Sequence, residues 1–179
     1  MSLELIIGCM YSGKSSEIIK RVNQLKSIDE SYIIYNSVID TRYGGLGIYT
    51  HNKTHEPCKL IDNLLHQLNC EDFKMADTIF IDEAQFFTDL KEFIIKAVET
   101  YNKTVVVIGL DGDSNRNNFG KLHELLPLCD KITKLTALCS LCKDGTPGIF
   151  SKKINNSVEQ IDIGSSDKYM AVCRLCYLK

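Results

Sequence analysis

A chain of 179 residues with a net charge of −2 is long enough for one well-buried core and a small appended module. That balance gives no general argument for nucleic acid or an acidic membrane surface as partner, and no apolar stretch approaches the roughly 18 residues needed to cross a bilayer. The first apolar run leads straight into a glycine-rich turn, so no signal peptide is expected; the expectation is a cytoplasmic protein whose eight cysteines are reduced.

Leu3–Ile7 reads as a short buried strand that breaks into Gly8-Cys-Met-Tyr-Ser-Gly13-Lys14-Ser15 and then into a helix. Gly8 and Gly13 let the backbone curl, so that N–H groups of the loop, with Cys9, Met10, Tyr11 and Ser12 between them, can point at one anion. Lys14 can reach the outer phosphates of a nucleoside triphosphate, and the Ser15 hydroxyl can take a place on Mg²⁺. The helix, with Ile18, Ile19, Val22 and Leu25 at helical spacing, adds its positive end to the same anion.

Tyr32–Tyr35 is a strand candidate, and Ser37 to Pro57 is a polar, Gly-rich loop containing Asp40-Thr41-Arg42. His51 and His55 fall in that loop without a carboxylate at a useful offset and read as exposed histidines rather than a metal pair. Ile61, Leu64, Leu65 and Leu68 predict a helix over 60–70. Thr78–Ile81 predicts a fully buried strand that ends on Asp82-Glu83-Ala84-Gln85-Phe86-Phe87. Leu90, Phe93, Ile94, Ala97, Val98 and Tyr101 predict a helix with Thr88 as its N-cap. Thr104–Ile108 is a further strand, turned at its end by Gly109–Gly112. Strands alternating with helices imply an α/β fold, a parallel sheet covered on both faces. Ligands gather beyond the carboxyl ends of such strands, where the phosphate loop, Asp40–Arg42, Asp82–Gln85 and Asp111–Gly112 all fall.

From Lys131 the pattern changes to short β-prone runs, Ile132–Leu138, Ile149–Ile154, Val158–Ile163 and Tyr169–Val172, with no convincing helix. The expected division is a nucleotide-binding domain over 1–137 and a small module over 138–179. Residues 131–179 hold eight Lys/Arg against four Asp/Glu, but the charges are scattered and read as solvated surface. Cys139-x-x-Cys142 and Cys173-x-x-Cys176, thirty residues apart, can close a tetrahedral Zn²⁺ site with no open position. Such a site does no chemistry and ties down a module too poor in apolar residues to fold alone. Cys9, Cys58, Cys70 and Cys129 show no spacing and read as small apolar fillers.

An Asp that closes a buried strand facing a phosphate loop is the usual second anchor for Mg²⁺, and Asp82 fits. Glu83 points the other way in an extended chain and can accept a proton from the attacking oxygen. Phosphoryl transfer otherwise needs charge stabilisation, which Lys14, Mg²⁺ and Arg42 can supply. If the attacking oxygen belongs to water, the chain is a P-loop ATPase; if to a small molecule, it is a kinase, which the single lobe favours. A zinc-ribbon nucleic-acid-binding protein has only the mild basic excess in its favour.

Taken together, Gly8–Ser15 followed by Ser-Glu-Ile-Ile-Lys-Arg21, Ile81–Phe87, Leu110-Asp-Gly112, Phe119-Gly120 and Val172–Tyr177 resemble the thymidine kinases of the cytosolic, bacterial and poxviral type. The resemblance implies a RecA-like P-loop domain and a zinc module carrying a lasso-like loop over the nucleoside. It implies ATP-dependent phosphorylation of the 5′-hydroxyl of thymidine and deoxyuridine in nucleotide salvage, with Mg²⁺ on ATP, structural Zn²⁺, feedback by thymidine triphosphate and a homotetramer. Neither nucleic acid nor membrane is an expected partner. Glu83 would be the base, and Asp40, Arg42, Asp82 and Gln85 would lie against the donor phosphates. The backbone of Gln160, Ile161, Asp162, Ile163 and Gly164 would read the thymine edge, and Tyr169 would pack on the nucleoside. Met10, Phe86, Leu110 and Phe119 would line the base pocket, with Ser151 matching a Thr that faces the ring. Three residues depart from the pattern, Ser114 replacing an aromatic against the sugar, Ser165 a Gly of the lasso and Cys9 a Pro, and the spacing from Cys142 to Tyr169 is about two residues longer than the pattern. Cys9 is therefore expected to put an oxidant-sensitive thiol beside the phosphate cradle.

Overall fold

Alternating side chains along the central strands divide the interior into two cores, one on each face of a sheet. The computed structural model describes residues 1–40, 47–49, 55–154 and 168–179; Arg42, His51, Gln160–Gly164 and Ser165 lie outside them. In chain order the elements are β1 (Ser2–Gly8), α1 (Lys14–Lys26), β2 (Tyr32–Ser37), β3 (Gly47–Tyr49), β4 (His55–Pro57), β5 (Lys59–Ile61) and a 3-10 turn (Leu65–Asn69). Then come α2 (Glu71–Met75), β6 (Thr78–Ile81), α3 (Leu90–Ile95) continuing as a π-helical segment (Lys96–Thr100), β7 (Thr104–Leu110) and a 3-10 helix (Leu122–Leu128). The chain closes with β8 (Lys131–Leu135), β9 (Ala137–Leu138), β10 (Pro147–Gly148), β11 (Phe150–Lys153), β12 (Tyr169–Val172) and α4 (Arg174–Leu178).

Six strands form one sheet in the order β5-β2-β6-β7-β1-β8, and every pairing in it is parallel. On one face Leu3, Leu5, Ile79, Ile81, Val105 and Val107 meet Phe73, Leu90, Phe93, Ile94, Leu122 and Leu125. On the other, Ile6, Ile34, Phe80, Val106 and Ile108 meet Ile18 and Val22 of α1 and Ile48 of β3. Strands buried on both faces read as unbroken apolar runs because neither set of side chains reaches water. The α/β class and the parallel sheet stand as the sequence implies.

Several elements differ in detail. The helix expected over 60–70 is strand β5 followed by the 3-10 turn, because Ile61 pairs opposite Ser37 of β2 before Asp62 and Asn63 break the run. Asp89, not Thr88, stands at the N-terminus of α3, and its carboxylate accepts the N–H of Leu65. The 37–57 loop contains the antiparallel pair β3–β4, which includes His55. Lys131–Leu135 forms the sixth strand of the main sheet, beside β1. A five-residue helix, α4, starts directly after Cys173 and carries Cys176, where no helix was expected. Among the described residues no helix is long and apolar enough to cross a membrane.

Candidate active site

The carboxyl ends of β1, β6 and β7 lie side by side, since Gly8 pairs opposite Leu110 and Ile81 opposite Val107. The loop after β1 turns through left-handed conformations at Tyr11 (φ 64°) and Gly13 (φ 87°) before α1 begins at Lys14. Glycine takes that conformation at Gly13 without the steric cost of a side chain. Lys14 is buried, and its ammonium donates to the carbonyls of Cys9 at 2.8 Å and Gly8 at 3.3 Å. The cation is thereby held at the centre of the loop, where phosphate oxygens would compete for it.

Asp82 and Glu83 follow β6, and both are buried. The sequence reading put Glu83 opposite Asp82 by strand alternation, but β6 stops at Ile81 and Glu83 is left-handed (φ 48°, ψ 41°). Asp82 Oδ1 accepts the Glu83 N–H at 2.9 Å and holds that turn. Asp40, three residues past the carboxyl end of β2, accepts from the Asn36 amide at 3.2 Å. Burial, and then the Asp82 and Asp40 carboxylates, push the Cys58 thiol up to about 11, so both acids share the neighbourhood of one side chain. Cys58 was read from sequence as an apolar filler, and nothing in its spacing signalled that placement. Gln85 is buried between the main chain of β7 and Glu83, its amide donating to the Glu83 carboxylate and accepting the Leu110 N–H.

Phe86 and Phe119 meet edge to face at 5.6 Å between ring centres. Ser151 of β11 is buried, and its hydroxyl accepts the N–H of Met10 at 2.9 Å. Tyr169, opposite Lys153 in the β11–β12 pair, is buried as well. The structure therefore brings Met10 and Ser151 into contact and pairs Phe86 with Phe119. Ser114 contributes its carbonyl, which accepts the Tyr177 hydroxyl at 2.7 Å. Arg116 stacks over Tyr177 at 4.4 Å and reaches Phe150 at 5.7 Å, closing the loop after β7 onto the small module. Arg116 was not singled out in the sequence, because its aromatic partners lie more than thirty residues away.

Cys9 is the apolar filler that its lack of spacing implied, and departs from the oxidant-sensitive role. It is 1% exposed and packed with Ala137 and Ala171, and its thiol donates to the Gly148 carbonyl at 3.2 Å. Burial raises its pKa despite the nearby Lys14 charge, so the group is a neutral thiol turned away from solvent.

The four sulfurs of Cys139, Cys142, Cys173 and Cys176 lie within 4.8 Å of one another. Cys142 Sγ is 3.7 Å from that of Cys173 and 3.5 Å from that of Cys176. Four thiolates about 2.3 Å from a tetrahedral Zn²⁺ sit about 3.8 Å apart, whereas a disulfide needs about 2.05 Å. Burial opposes ionisation of Cys139, yet the N–H groups of Cys142, Cys173 and Leu141 outweigh it and bring the thiol down to about 6. Hydrogen bonding with the sulfurs of Cys176, Cys139 and Cys173 pushes the Cys142 thiol up to about 12. A divalent cation bound among the four sulfurs would hold them as thiolates. The residues fit structural zinc.

A family model described as Thymidine kinase matches residues 1–177. The chain is 40% identical to the Thymidine kinase of Amsacta moorei entomopoxvirus, over 99% of this chain and 98% of that protein. It is 38% identical to the Thymidine kinase of Vaccinia virus, over 98% and 96% of the two chains. It is 39% identical to the Thymidine kinase of Oryza sativa subsp. japonica, matching 98% of this chain and 66% of that longer protein. Among solved structures, a genome packaging NTPase from Sulfolobus turreted icosahedral virus 2 gives a TM-score of 0.41 at 18% identity, covering 61% of this chain and 64% of its own, a partial likeness. A parallel sheet with a phosphate loop at its carboxyl edge, a four-cysteine cluster and these near full-length matches have one common meaning: the chain belongs to the thymidine kinase family.

Proposed function

We propose that this chain transfers the terminal phosphoryl group of ATP to the 5′-hydroxyl of thymidine, and of deoxyuridine, with Glu83 as the base. The observation that carries the assignment is the buried Glu83 carboxylate, presented by a left-handed turn at the sheet edge that also bears the phosphate loop. A base aligned with the attacking oxygen and fixed charges around the moving phosphoryl are what the reaction asks of a protein. In this reading the N–H groups of the loop and the Lys14 ammonium take the donor phosphates, with Asp40 and Arg42 beside them. Glu83 draws the proton from the 5′-hydroxyl as its oxygen bonds to phosphorus and the bond to the ADP oxygen breaks. Phe86, Phe119, Leu110 and Met10 form the apolar sleeve for the base, closed by Tyr169 and the 160–164 backbone, with Ser151 and Ser114 at its margins. Ser15 and Asp82, a hydroxyl and a buried carboxylate, are the hard oxygen donors that suit Mg²⁺, which when bound offsets the developing negative charge.

The same reading divides the chain into a nucleotide-binding domain (1–137) and a zinc and lasso module (138–179), and places it in the cytoplasm as a tetramer inhibited by thymidine triphosphate. It is tested by Glu83→Gln, expected to lower kcat by about 10²- to 10⁴-fold while thymidine still binds. Wild-type enzyme should phosphorylate thymidine and deoxyuridine but hardly deoxycytidine. Undiminished turnover in the variant would overturn the base assignment. Steady ATP hydrolysis indifferent to nucleoside would replace the kinase with an ATPase.

A further inference from the structure

We infer that Gln85 is a positioning residue for the Glu83 carboxylate, clamping it to the main chain of β7, and not a ligand of the donor phosphates. The inference rests on the reading of Glu83 as the base. Gln85 is 4% exposed. Its Nε2 donates to Glu83 Oε2 in a short hydrogen bond, and its Oε1 accepts the Leu110 N–H at 3.1 Å. A backbone N–H can only donate, so the amide oxygen must face Leu110 and the NH₂ must face Glu83. The amide is thus held at both ends within the protein.

The main chain of Gln85 is fixed as firmly as its side chain. A Cβ on Gly120 would fall 2.1 Å from the Gln85 carbonyl oxygen, and one on Gly109 would fall 2.6 Å from Oε1. Only bare α-carbons at both positions leave the glutamine its slot. Gly120 directly follows Phe119, which contacts Phe86, so the seat of Gln85 is continuous with the proposed base pocket. Glu83 needs such support because its left-handed backbone is unfavourable for a residue with a side chain. Asp82 holds its N–H and Gln85 holds its carboxylate. A neutral amide does this without neutralising the base.

The test uses the full-length, zinc-loaded enzyme. Gln85→Met keeps length and approximate volume but removes both hydrogen bonds. A displaced base should lower kcat about 10- to 100-fold, with KM for ATP and for thymidine unchanged. Because the residue acts through Glu83, the double variant Glu83→Gln/Gln85→Met should be no slower than Glu83→Gln alone, whereas general loosening of the site would add a further loss. If Gln85→Met fails to fold, Gln85→Leu tests the same point: it stays apolar and close in size, lacks both the donor to Glu83 and the acceptor for Leu110, and its kcat should fall likewise. Unchanged kcat, additive losses in the double variant, or a raised KM for ATP with kcat retained would each overturn the inference. Full turnover in Glu83→Gln would sink the base assignment itself. Loss in Glu83→Gln with wild-type turnover in Gln85→Met would sink only the positioning role.

Discussion

Cys9 shows how far a residue's chemistry depends on partners distant in sequence. Read alone, a thiol within a phosphate loop is a plausible redox liability. Folded, its side chain points to β9, β10 and β12, where Ala137, Gly148 and Ala171 enclose it. A buried neutral thiol is a poor nucleophile. Brief treatment of the native protein with N-ethylmaleimide should therefore leave Cys9 unmodified, as read by peptide mass spectrometry, while Cys70, at the partly exposed start of α2, reacts first. Fast alkylation of Cys9 with parallel loss of activity would restore the sensitive thiol. Lys14, Asp82 and Glu83 could be singled out as candidates in advance because their motifs are local, although the left-handed turn at Glu83 could not. Gln85 could be singled out but not its distant partners, since the Leu110 N–H and the Gly120 close contact lie 25 and 35 residues further on.

Among elements, those whose pattern repeats within one window were readable from the sequence: β1, β6 and β7 as apolar runs, and α1 by its helical period. β5 was misread because Ile61 and Leu64 fit a helical spacing, and the sheet edge beside β2 outweighed that local preference. β8 illustrates a second kind of contact. Its outward face is exposed, but it is tied to β1 and α1 through Glu4, which accepts a two-pronged bond from Arg21 at 2.6 and 2.8 Å, a contact from Lys131 at 3.0 Å and the Thr133 hydroxyl at 3.1 Å. Burial alone would raise the Glu4 pKa, but the hydrogen bonds from Arg21 and Lys131 outweigh it and bring it down to about 2. A carboxyl held below its unfolded value of 4.5 stabilises the fold above that pH, and the contribution fades as pH falls toward 2. Thermal unfolding followed from pH 7 to pH 2 should show a steeper loss of Tm below pH 4.5 in wild type than in Glu4→Gln. Parallel acid limbs in the two proteins would mean that the network adds nothing to stability.

At the scale of the whole molecule, the four-cysteine cluster and the phosphate loop are separate in sequence but mechanically continuous. The cluster anchors β12 and α4; β12 pairs with β11; and β11 places Ser151 on the Met10 N–H of the phosphate loop. A second path runs from Tyr177, one residue after Cys176, to the Ser114 carbonyl and the Arg116 stack. The second path ends at Ser114, on the nucleoside side of the proposed site, and the first at Met10, whose side chain belongs to the proposed base sleeve, whereas Lys14 is held by carbonyls of its own loop. Loss of zinc should accordingly damage acceptor binding before donor binding. Purified protein is expected to carry one zinc per chain by elemental analysis, and Cys142→Ser or chelation should release it. The released protein should keep the parallel sheet by circular dichroism and still bind ATP. Its affinity for thymidine should fall by about tenfold or more, as losing the support of a site typically does. Equal loss of ATP and thymidine binding would mean that the cluster holds the entire fold. Unchanged thymidine affinity would mean that the contacts of Ser151 and Tyr177 persist without the metal, and the cluster would then have no mechanical hold on the site.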